Sequence, residues 1–303
     1  MKIKRREALG HLAGAMGAGA LGAGGVGAGR LAAGGAGAAG LAGMAAAAGR
    51  GAAFDPANPD HLAMAFRKLA YSMDDTLTFW WMRGTRYGVV GSVATPFWDM
   101  YVAAWFTTRD LPDGRYEVRS ASGNLYTPVG GTTLLEKFAN PFTGRTIDIN
   151  YNRPRVTTAI YDKKGGSPFA GSDPPGMKST RNTDVGPAWI VGDMLHVQGD
   201  LTLDSRPLDG ARKGFTVNDW STYIGSVADV MDPRKKNPPA AQMFNDILDF
   251  PPYLQMGDHP GTFVSRCYGR KVYDIRSMPA VWLSLFEKKF PDVAKDPGAV
   301  LRA

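Results

Sequence analysis

The chain is poor in the residues that most often mark a catalytic or metal-binding site. Only one of its 303 residues is cysteine, Cys267, and only four are histidine. A single cysteine excludes an internal disulfide and a thiolate metal cluster, and a lone thiol among apolar neighbours is typical of a buried core position. The sequence also lacks the zinc-protease, serine-hydrolase, phosphate-loop and dinucleotide-binding motifs. We therefore predict no cofactor and no bound metal.

Long apolar runs are also missing, which argues against an ordinary membrane-spanning helix. Residues 1–53 hold 16 of the 38 glycines and are interrupted by Arg30 and Arg50. Each interior glycine costs a helix about 1 kcal/mol relative to alanine, and a spanning helix needs about 20 predominantly apolar residues. We therefore predict no stable membrane insertion after processing.

The first residues carry a paired arginine, Arg5-Arg6, in a basic start that precedes this weakly apolar tract. The combination is typical of a twin-arginine export signal, which carries folded proteins across the inner membrane. We predict that residues 1–53 are the signal and a Gly/Ala-rich leader, that the twin-arginine translocon is a transient partner, and that the protein works in the periplasm. A flexible low-complexity linker is the alternative interpretation.

Most of the net positive charge lies in the leader. The whole chain carries 35 Lys+Arg against 28 Asp+Glu, a net charge of +7, whereas residues 54–303 carry 29 against 27. A net charge of +2 does not supply the clustered cations that neutralise phosphate groups. We therefore predict no nucleic-acid partner.

Residues 54–303 have the pattern of a mostly β domain. Apolar residues recur at helical spacing between Phe54 and Tyr71 and again between Pro279 and Phe290, which predicts a short helix at each end. Between the helices about ten β-branched and aromatic runs are separated by turn residues. Because no strand–helix alternation occurs, we predict one domain with an antiparallel, lipocalin-like barrel, closed or nearly closed. A two-sheet sandwich is the alternative.

The predicted strands and loops follow from these runs. Hairpin turns are expected at Pro112-Asp113-Gly114 and at Asn140–Gly144, and long loops at Lys163–Asn182 and Asp232–Pro239. The predicted strands are Thr85–Val90, Met100–Thr107, Tyr116–Tyr126, Thr132–Phe138, Thr146–Asn150, Val156–Tyr161, Ala188–Val191, Met194–Leu203, Phe215–Val230 and Thr262–Tyr268.

One aromatic segment is a candidate binding site. Trp80 and Trp81 are followed closely by Arg83, Arg86 and Tyr87. Aromatic faces and guanidinium groups suit an aromatic ligand, and an arginine can stabilise a developing oxyanion. We predict that Trp80, Trp81, Arg86 and Tyr87 bind the substrate and that Arg83 is catalytic. The alternative is that Phe79, Trp80 and Trp81 cap one end of the barrel as core. Because neighbouring residues on a strand face opposite sides, at most one of Trp80 and Trp81 points inward with Arg83.

Three polar segments supply candidate proton-transfer groups. His196 lies on the polar side of an alternating strand, which faces either solvent or a barrel lumen, and His259 lies in a turn. Asp219 and Tyr223 fall on one side of a single strand, and Trp220 lies between them in sequence. We predict that His196, Asp219, Tyr223 and His259 are catalytic and that Trp220 binds the substrate. Ordinary surface positions are the alternative for the two histidines and for Asp219.

Four segments together resemble a bacterial family catalogued as domain of unknown function 1838. They are Trp80–Val90, Asn140–Gly144, Gly261–Val272 and Met278–Leu283, and the resemblance covers roughly residues 55–291. It implies an exported protein, in agreement with Arg5-Arg6. Because members occur in bacteria that degrade aromatic and other hydrophobic compounds, it also implies small-molecule turnover. It implies no active-site assignment.

Two functions follow as hypotheses. The first is an exported, cofactor-independent lyase or isomerase that acts by acid–base catalysis on an aromatic or hydrophobic small molecule, for instance a lignin-type diaryl compound. The second is a periplasmic small-molecule binding or carrier protein without catalysis. A structural envelope protein is a weaker third hypothesis, because the sequence has no repeats.

Overall fold

A computed structural model describes residues 53–162, 176–209 and 214–302. The predicted signal and leader, apart from residue 53, lie outside the described residues. Among the described residues a helix comes first, eleven strands follow with one short helix among them, and three short helices come last. The helices are α1 (Pro59–Ala70), α2 (Val227–Met231), α3 (Ala280–Lys289), α4 (Pro291–Lys295) and α5 (Pro297–Arg302), with 3₁₀ turns at Pro252–Leu254 and Ile275–Ser277.

The strands build one large antiparallel sheet, so the predicted mostly β, barrel-like fold is confirmed. Strands make up 49% of the structure and helices 19%, and the sheet curls strongly into a half-barrel. Its nine strands follow the order β6-β3-β2-β1-β11-β10-β9-β8-β7, and β4 pairs with β5 in a separate hairpin. The strands are β1 (Thr78–Val90), β2 (Val93–Asp110), β3 (Tyr116–Thr127), β4 (Lys137–Ala139), β5 (Thr146–Asp148), β6 (Thr157–Tyr161), β7 (Met177–Val191), β8 (Met194–Pro207), β9 (Phe215–Ser226), β10 (Ala241–Asp249) and β11 (Thr262–Val272).

Helix α1 packs inside the curl and fills one end of it. Asn58 caps the helix, because its side-chain oxygen accepts hydrogen bonds from the Asp60 and His61 amides. The buried Phe66 ring contacts Tyr223 edge-on, with ring centroids 5.7 Å apart. The Trp80 indole N–H donates to the Ala70 carbonyl over 2.8 Å at the end of the helix. These contacts define the inner face of the sheet as the face that meets α1.

A second apolar cluster fills the other end of the curl. Phe97 and Trp98 of β2 contact Phe138 of β4, in each case with ring centroids 4.9 Å apart. Leu254 and Met256 are buried in the same cluster. Apolar side chains therefore occupy both ends of the inner face.

The C-terminal helices cover part of the outer face. Trp282 and Phe286 of α3 stack with centroids 4.4 Å apart, and Phe286 meets Trp105 of β2 edge-on. Gly123 leaves room for this contact, since a Cβ there would lie 2.4 Å from the Phe286 ring. The predicted closing helix is thus confirmed and lies against β2 and β3.

Several predicted boundaries need correction. The predicted strand Phe215–Val230 ends at Ser226, because the Ser226 hydroxyl accepts from the Asp229 amide and starts α2. The predicted strand Thr132–Phe138 is mostly irregular, with only Lys137–Ala139 paired. The loop predicted at Lys163–Asn182 is wrong for residues 177–182, which belong to β7, while residues 163–175 lie outside the described residues.

Other predictions are confirmed. The two hairpin turns lie between β2 and β3 and between β4 and β5, and Gly114 and Gly144 have the positive φ values that such turns need. Cys267 is buried, and burial raises the pKa of its thiol to about 12. No helix among the described residues has the length and hydrophobicity that crossing a bilayer requires.

Candidate functional site

Buried polar side chains collect at the middle of the inner face, between the two apolar ends. They come from four adjacent strands, β1, β11, β10 and β9, and every one of them is buried. We call this group the inner polar cluster. Its members are Arg86, Asp219, Ser221, Gln242, Asp246 and Ser265.

The strand register brings these residues together. Asp246 of β10 pairs directly with Asp219 of β9 on one side and with Ser265 of β11 on the other. Ser265 in turn pairs with Arg86 of β1. Directly paired residues on one face of a sheet have Cβ atoms about 5 Å apart. The four side chains therefore form one row across the inner face.

Arg86 and Asp246 form a buried ion pair. Arg86 Nη1 donates to Asp246 Oδ1 over 2.8 Å, and the Ser265 amide donates to the same oxygen over 2.8 Å. The guanidinium also lies 4.8 Å from the centroid of the Phe263 ring. Buried charges persist where a partner and hydrogen bonds compensate the lost hydration. The carboxylate of Asp246 has both.

Asp219 has no such compensation. Its Oδ1 atom is buried and has no hydrogen-bond partner among the described residues. Burial raises the pKa of Asp219 well above its usual range, and the neighbouring Asp246 raises it further, whereas Arg181 and Arg86 oppose the rise. The two paired carboxyl groups therefore lie in different surroundings: burial favours the protonated form of Asp219, whereas Asp246 is ion-paired with Arg86.

Two more buried polar atoms of the cluster lack partners within the described parts of the chain. They are Gln242 Oε1 and Ser265 Oγ. The Gln242 amide nitrogen is used, since it donates to Ser221 Oγ over 3.0 Å and to Tyr223 Oη over 3.4 Å. Buried polar atoms normally find a partner, so unpartnered atoms grouped on one patch indicate a place for water or a ligand.

The inner face beside the cluster is only partly covered. Asn124, Tyr126, Thr183 and Leu203 point to the inner face by strand alternation, yet all four are only half-buried. Tyr253, from the first 3₁₀ turn, lies close enough to Arg86 for its charge to affect the phenol. Burial raises the pKa values of Tyr126 and Tyr253, so both are neutral phenols. The cluster thus borders a surface with aromatic and hydroxyl groups.

Four of the predicted site residues lie on the inner face. Asp219 and Arg86 are members of the inner polar cluster, and the predicted alternation of Asp219 and Tyr223 onto one face is correct. The Tyr223 ring packs between Phe66 and Trp80, and its hydroxyl accepts from the Gln242 amide of the cluster. Burial raises its pKa strongly, so it is a neutral phenol. Trp80, of β1, is a core residue that contacts the C-terminal end of α1.

Five other predicted site residues lie on the outer face, because strand alternation directs them away from Asp219. His196 stacks on Trp189 with ring centroids 5.3 Å apart. The Arg83 guanidinium lies 5.1 Å from the Tyr101 ring centroid and 3.6 Å from Asp99. The remaining three outer-face residues are Trp81, Tyr87 and Trp220.

His259 lies in an exposed turn, where its amide donates to the Met256 carbonyl. The predicted catalytic set is therefore divided among three places, and the structure does not bring His196, His259 or Arg83 to Asp219. The error has a single physical cause for the strand residues. The sequence gives the alternation of a strand, but which side faces the lumen depends on the fold.

The sequence prediction missed Asp246, Gln242 and Ser265. Two of these lie on β10, which was not predicted as a strand at all. A signal was present, because Gln242, Phe244, Asp246 and Leu248 alternate with exposed or half-buried positions. The inward positions of β10 are by turns polar and apolar, namely Gln242, Phe244, Asp246 and Leu248. A strand whose inward side is not uniformly apolar is hard to distinguish from an irregular segment by sequence.

Within the described residues, no three His, Cys, Asp or Glu side chains group in a way that could hold a metal ion. Comparisons of the chain with protein-family models, with curated proteins and with solved structures find no match. The resemblance to domain of unknown function 1838 therefore stays a prediction.

Proposed function

We propose that this protein is an acid–base enzyme, a lyase or isomerase, that acts on an aromatic or hydrophobic small molecule held against the inner polar cluster. The observation that carries the proposal is the pair Asp219–Asp246. Two neighbouring carboxyl groups, one buried without a hydrogen-bond partner for its Oδ1 atom and the other ion-paired with Arg86, are suited to donate and accept protons in one reaction. Asp219 is the proposed acid and Asp246 the proposed base.

The proposed chemistry needs only these protein groups. For a β-hydroxy substrate, the Asp246 carboxylate takes the hydroxyl proton, the electron pair of the O–H bond forms a carbonyl, and the adjacent carbon–carbon bond breaks. The carbanion then takes the proton of Asp219. Atoms and charge balance, because one proton enters Asp246 as one leaves Asp219. Arg86, at 2.8 Å from Asp246, orients the base.

The aromatic preference rests on the neighbourhood of the cluster. Phe263 lies beneath Arg86, and the neutral phenols of Tyr126 and Tyr253 lie near the ion pair. Aromatic side chains pack well against planar rings and leave a hydroxyl for one polar contact. A lignin-type diaryl compound fits this description.

A binding or carrier protein is the second candidate. The unpartnered atoms Gln242 Oε1 and Ser265 Oγ favour it, because they suit hydrogen bonds to a ligand without any proton transfer. Under either function we propose that the protein is exported folded through the twin-arginine translocon and works in the periplasm. The basis for that part is Arg5-Arg6 and the Gly/Ala-rich tract after it.

The deciding experiment compares the wild-type protein with Asp219→Asn. Each is incubated with a panel of diaryl β-hydroxy compounds, and products are followed by mass spectrometry while binding is followed by calorimetry. We expect wild-type turnover and a loss of about 10²-fold or more in the variant with binding retained. Asp258→Asn, an exposed carboxyl variant, is the matched control. Binding without turnover by the wild type would support the carrier, and neither binding nor turnover across the panel would count against both functions.

A further inference from the structure

The outer face of strands β7 to β11 and β1 carries exposed apolar side chains at its centre. Trp220 of β9, Met243 of β10 and Tyr268 of β11 are 48%, 38% and 51% exposed. Met243 pairs directly with Tyr268, and Trp220 is its diagonal neighbour on the same face, two residues from Thr222, which pairs with Met243. The three side chains therefore form one contiguous apolar centre. A contiguous exposed apolar patch rimmed by polar residues is typical of an interaction surface.

Cations lie on one side of this centre. Arg266 and Arg270 of β11 are both exposed, and Arg83 of β1 pairs directly with Tyr268. Arg266 Nη2 donates to the Tyr268 hydroxyl over 3.3 Å, and its guanidinium lies 6.0 Å from the Tyr268 ring centroid. Neither Arg266 nor Arg270 forms an ion pair within the described ranges of the chain.

Carboxylates lie on the opposite side. Asp200 of β8 and Asp184 of β7 pair directly across the two strands on the outer face. Like charges directly opposite one another destabilise a sheet. The repulsion is evident in Asp200, whose pKa is raised by burial and by Asp184. No cation pairs with either carboxylate in the part of the chain that the structure describes.

One row across the face contains all three parts. It runs from Arg266 through Asn245 and Trp220 to Asp200 and Asp184, since each residue pairs directly with the next. Along this row the face is positive on one side, apolar in the middle and negative on the other. Nearer the ends of the strands the same face also carries Lys178 and the Arg206–Asp204 ion pair on the β7–β8 side and Asp249 on β10. Consider a two-fold axis that lies in the plane of the face, parallel to the strands, and passes through its middle. It would bring the positive side of one copy against the negative side of the other, and the two apolar centres against each other.

We propose that this outer face is a two-fold interface between two copies of the chain. A second copy is the occupant that supplies carboxylates for Arg266 and Arg270 and guanidinium groups for Asp184 and Asp200 at the same time. Any partner with one sign of charge would satisfy only one side and repel the other. The apolar centre would be buried at the axis, where apolar residues contribute most to an interface.

Charge reversal tests the proposal on the full chain. Sedimentation velocity would measure the mass of the wild type, of Arg266→Glu/Arg270→Glu and of Asp184→Lys/Asp200→Lys. We expect a wild-type dimer and two monomeric variants, because each variant places like charges against each other on both sides of the axis. Close charge pairs at interfaces contribute about tenfold or more each to the dissociation constant.

Mixing the two variants is the sharper part of the test. One variant is negative on both sides of its face and the other is positive on both, so the mixture should form a heterodimer although neither variant self-associates. Circular dichroism and thermal melts of each variant would show that the exposed substitutions leave the fold intact. A monomeric wild type, variants that remain dimeric, or a mixture that remains monomeric would each overturn the proposal.

Discussion

Asp219 and Asp246 lie directly opposite each other on β9 and β10, and only Asp246 is paired with a buried cation. This asymmetry gives two chemically identical groups different surroundings, and burial raises the pKa of Asp219. It also makes Asp219 a source of instability, because the folded protein must keep the carboxyl protonated or bear a buried, unpaired charge. A side chain that weakens the fold in this way is a candidate for function rather than for stability.

The stability difference between Asp219→Asn and the wild type should depend on pH. The pKa of Asp219 is raised in the folded state, so the folded protein binds more protons there than the unfolded protein, and wild-type stability falls as pH rises above about 4. Asparagine does not titrate. We therefore expect equal free energies of unfolding near pH 3 to 4 and an increasing advantage for the variant towards neutral pH.

Urea unfolding of both proteins across this pH range would measure the effect. Asp258→Asn, at an exposed turn, should show no comparable trend. A free-energy difference between wild type and Asp219→Asn that stays constant with pH would contradict a raised pKa of Asp219 in the folded protein.

Removal of the Arg86 guanidinium should strongly destabilise the folded protein. Arg86→Met leaves the Asp246 carboxylate buried with only the Ser265 amide as partner. Breaking a buried ion pair from one side costs about 3–5 kcal/mol, whereas replacing both partners with apolar residues is often close to neutral. We expect Arg86→Met to lower the free energy of unfolding by that amount.

The double variant Arg86→Met/Asp246→Leu should recover most of the loss, although the Ser265 amide then loses one acceptor. Chemical denaturation of the two single variants and the double variant gives the coupling energy. Arg276→Met, at an exposed arginine, should change stability by less than about 0.5 kcal/mol. Equal stability of Arg86→Met and the double variant would show that an unpaired Asp246 carboxylate is not what destabilises Arg86→Met.

The sequence was sufficient for the fold class and for part of the site. Alternating β-branched and aromatic runs gave most strands, and the alternation within β9 placed Asp219 and Tyr223 on one face. It could not show which face is inner. His196 and Arg83 alternate as regularly as Asp219 does, yet they face outward, because the side that meets α1 is decided by tertiary packing.

Strand β10 shows a second limit. Its sequence contains Asn245, Asp246 and Asp249, residues that are depleted in strands. The segment is a strand because β9 and β11 provide partners on both sides. The buried Arg86 neutralises the Asp246 charge. Arg86 is 160 positions away from Asp246 in the chain, so a pattern within the β10 segment cannot reveal the ion pair.

Export can be tested independently of the fold. Arg5→Lys/Arg6→Lys keeps the positive charge of the signal but removes both guanidinium groups, and the two side chains are not interchangeable in recognition. We expect the variant to remain in the cytoplasmic fraction while the wild type reaches the periplasm. Lys2→Arg/Lys4→Arg is the matched control and should be exported. Periplasmic accumulation of the Arg5/Arg6 variant at the wild-type level would argue against the twin-arginine route.

Lys271 should be essential for the position of α1. It is buried on the inner face of β11, and its ammonium donates to the Lys68 carbonyl over 2.6 Å, to the Tyr71 carbonyl over 2.5 Å and to Asn237 Oδ1 over 3.0 Å. Two of these acceptors are at the C-terminal end of α1, where helix carbonyls lack partners and accept N–H donors, and burial lowers the pKa of the Lys271 amine. Lys271→Met leaves all three acceptors without this donor, so we expect a loss of about 2–4 kcal/mol in the free energy of unfolding.

The Lys271→Met variant also shows whether Lys271 stabilises only the end of α1 or the packing of the whole inner face. If Lys271 holds the end of α1, amide hydrogen exchange in Pro59–Ala70 should increase more than exchange in β2 or β3, which Lys271 does not contact. Lys295→Met, at an exposed lysine of α4, controls for the loss of a positive charge and should leave both stability and exchange nearly unchanged. Uniform exchange throughout Lys271→Met would mean that the ammonium supports the whole inner face. Unchanged exchange in α1 would mean that apolar contacts such as that of Phe66 with Tyr223 hold the helix without it.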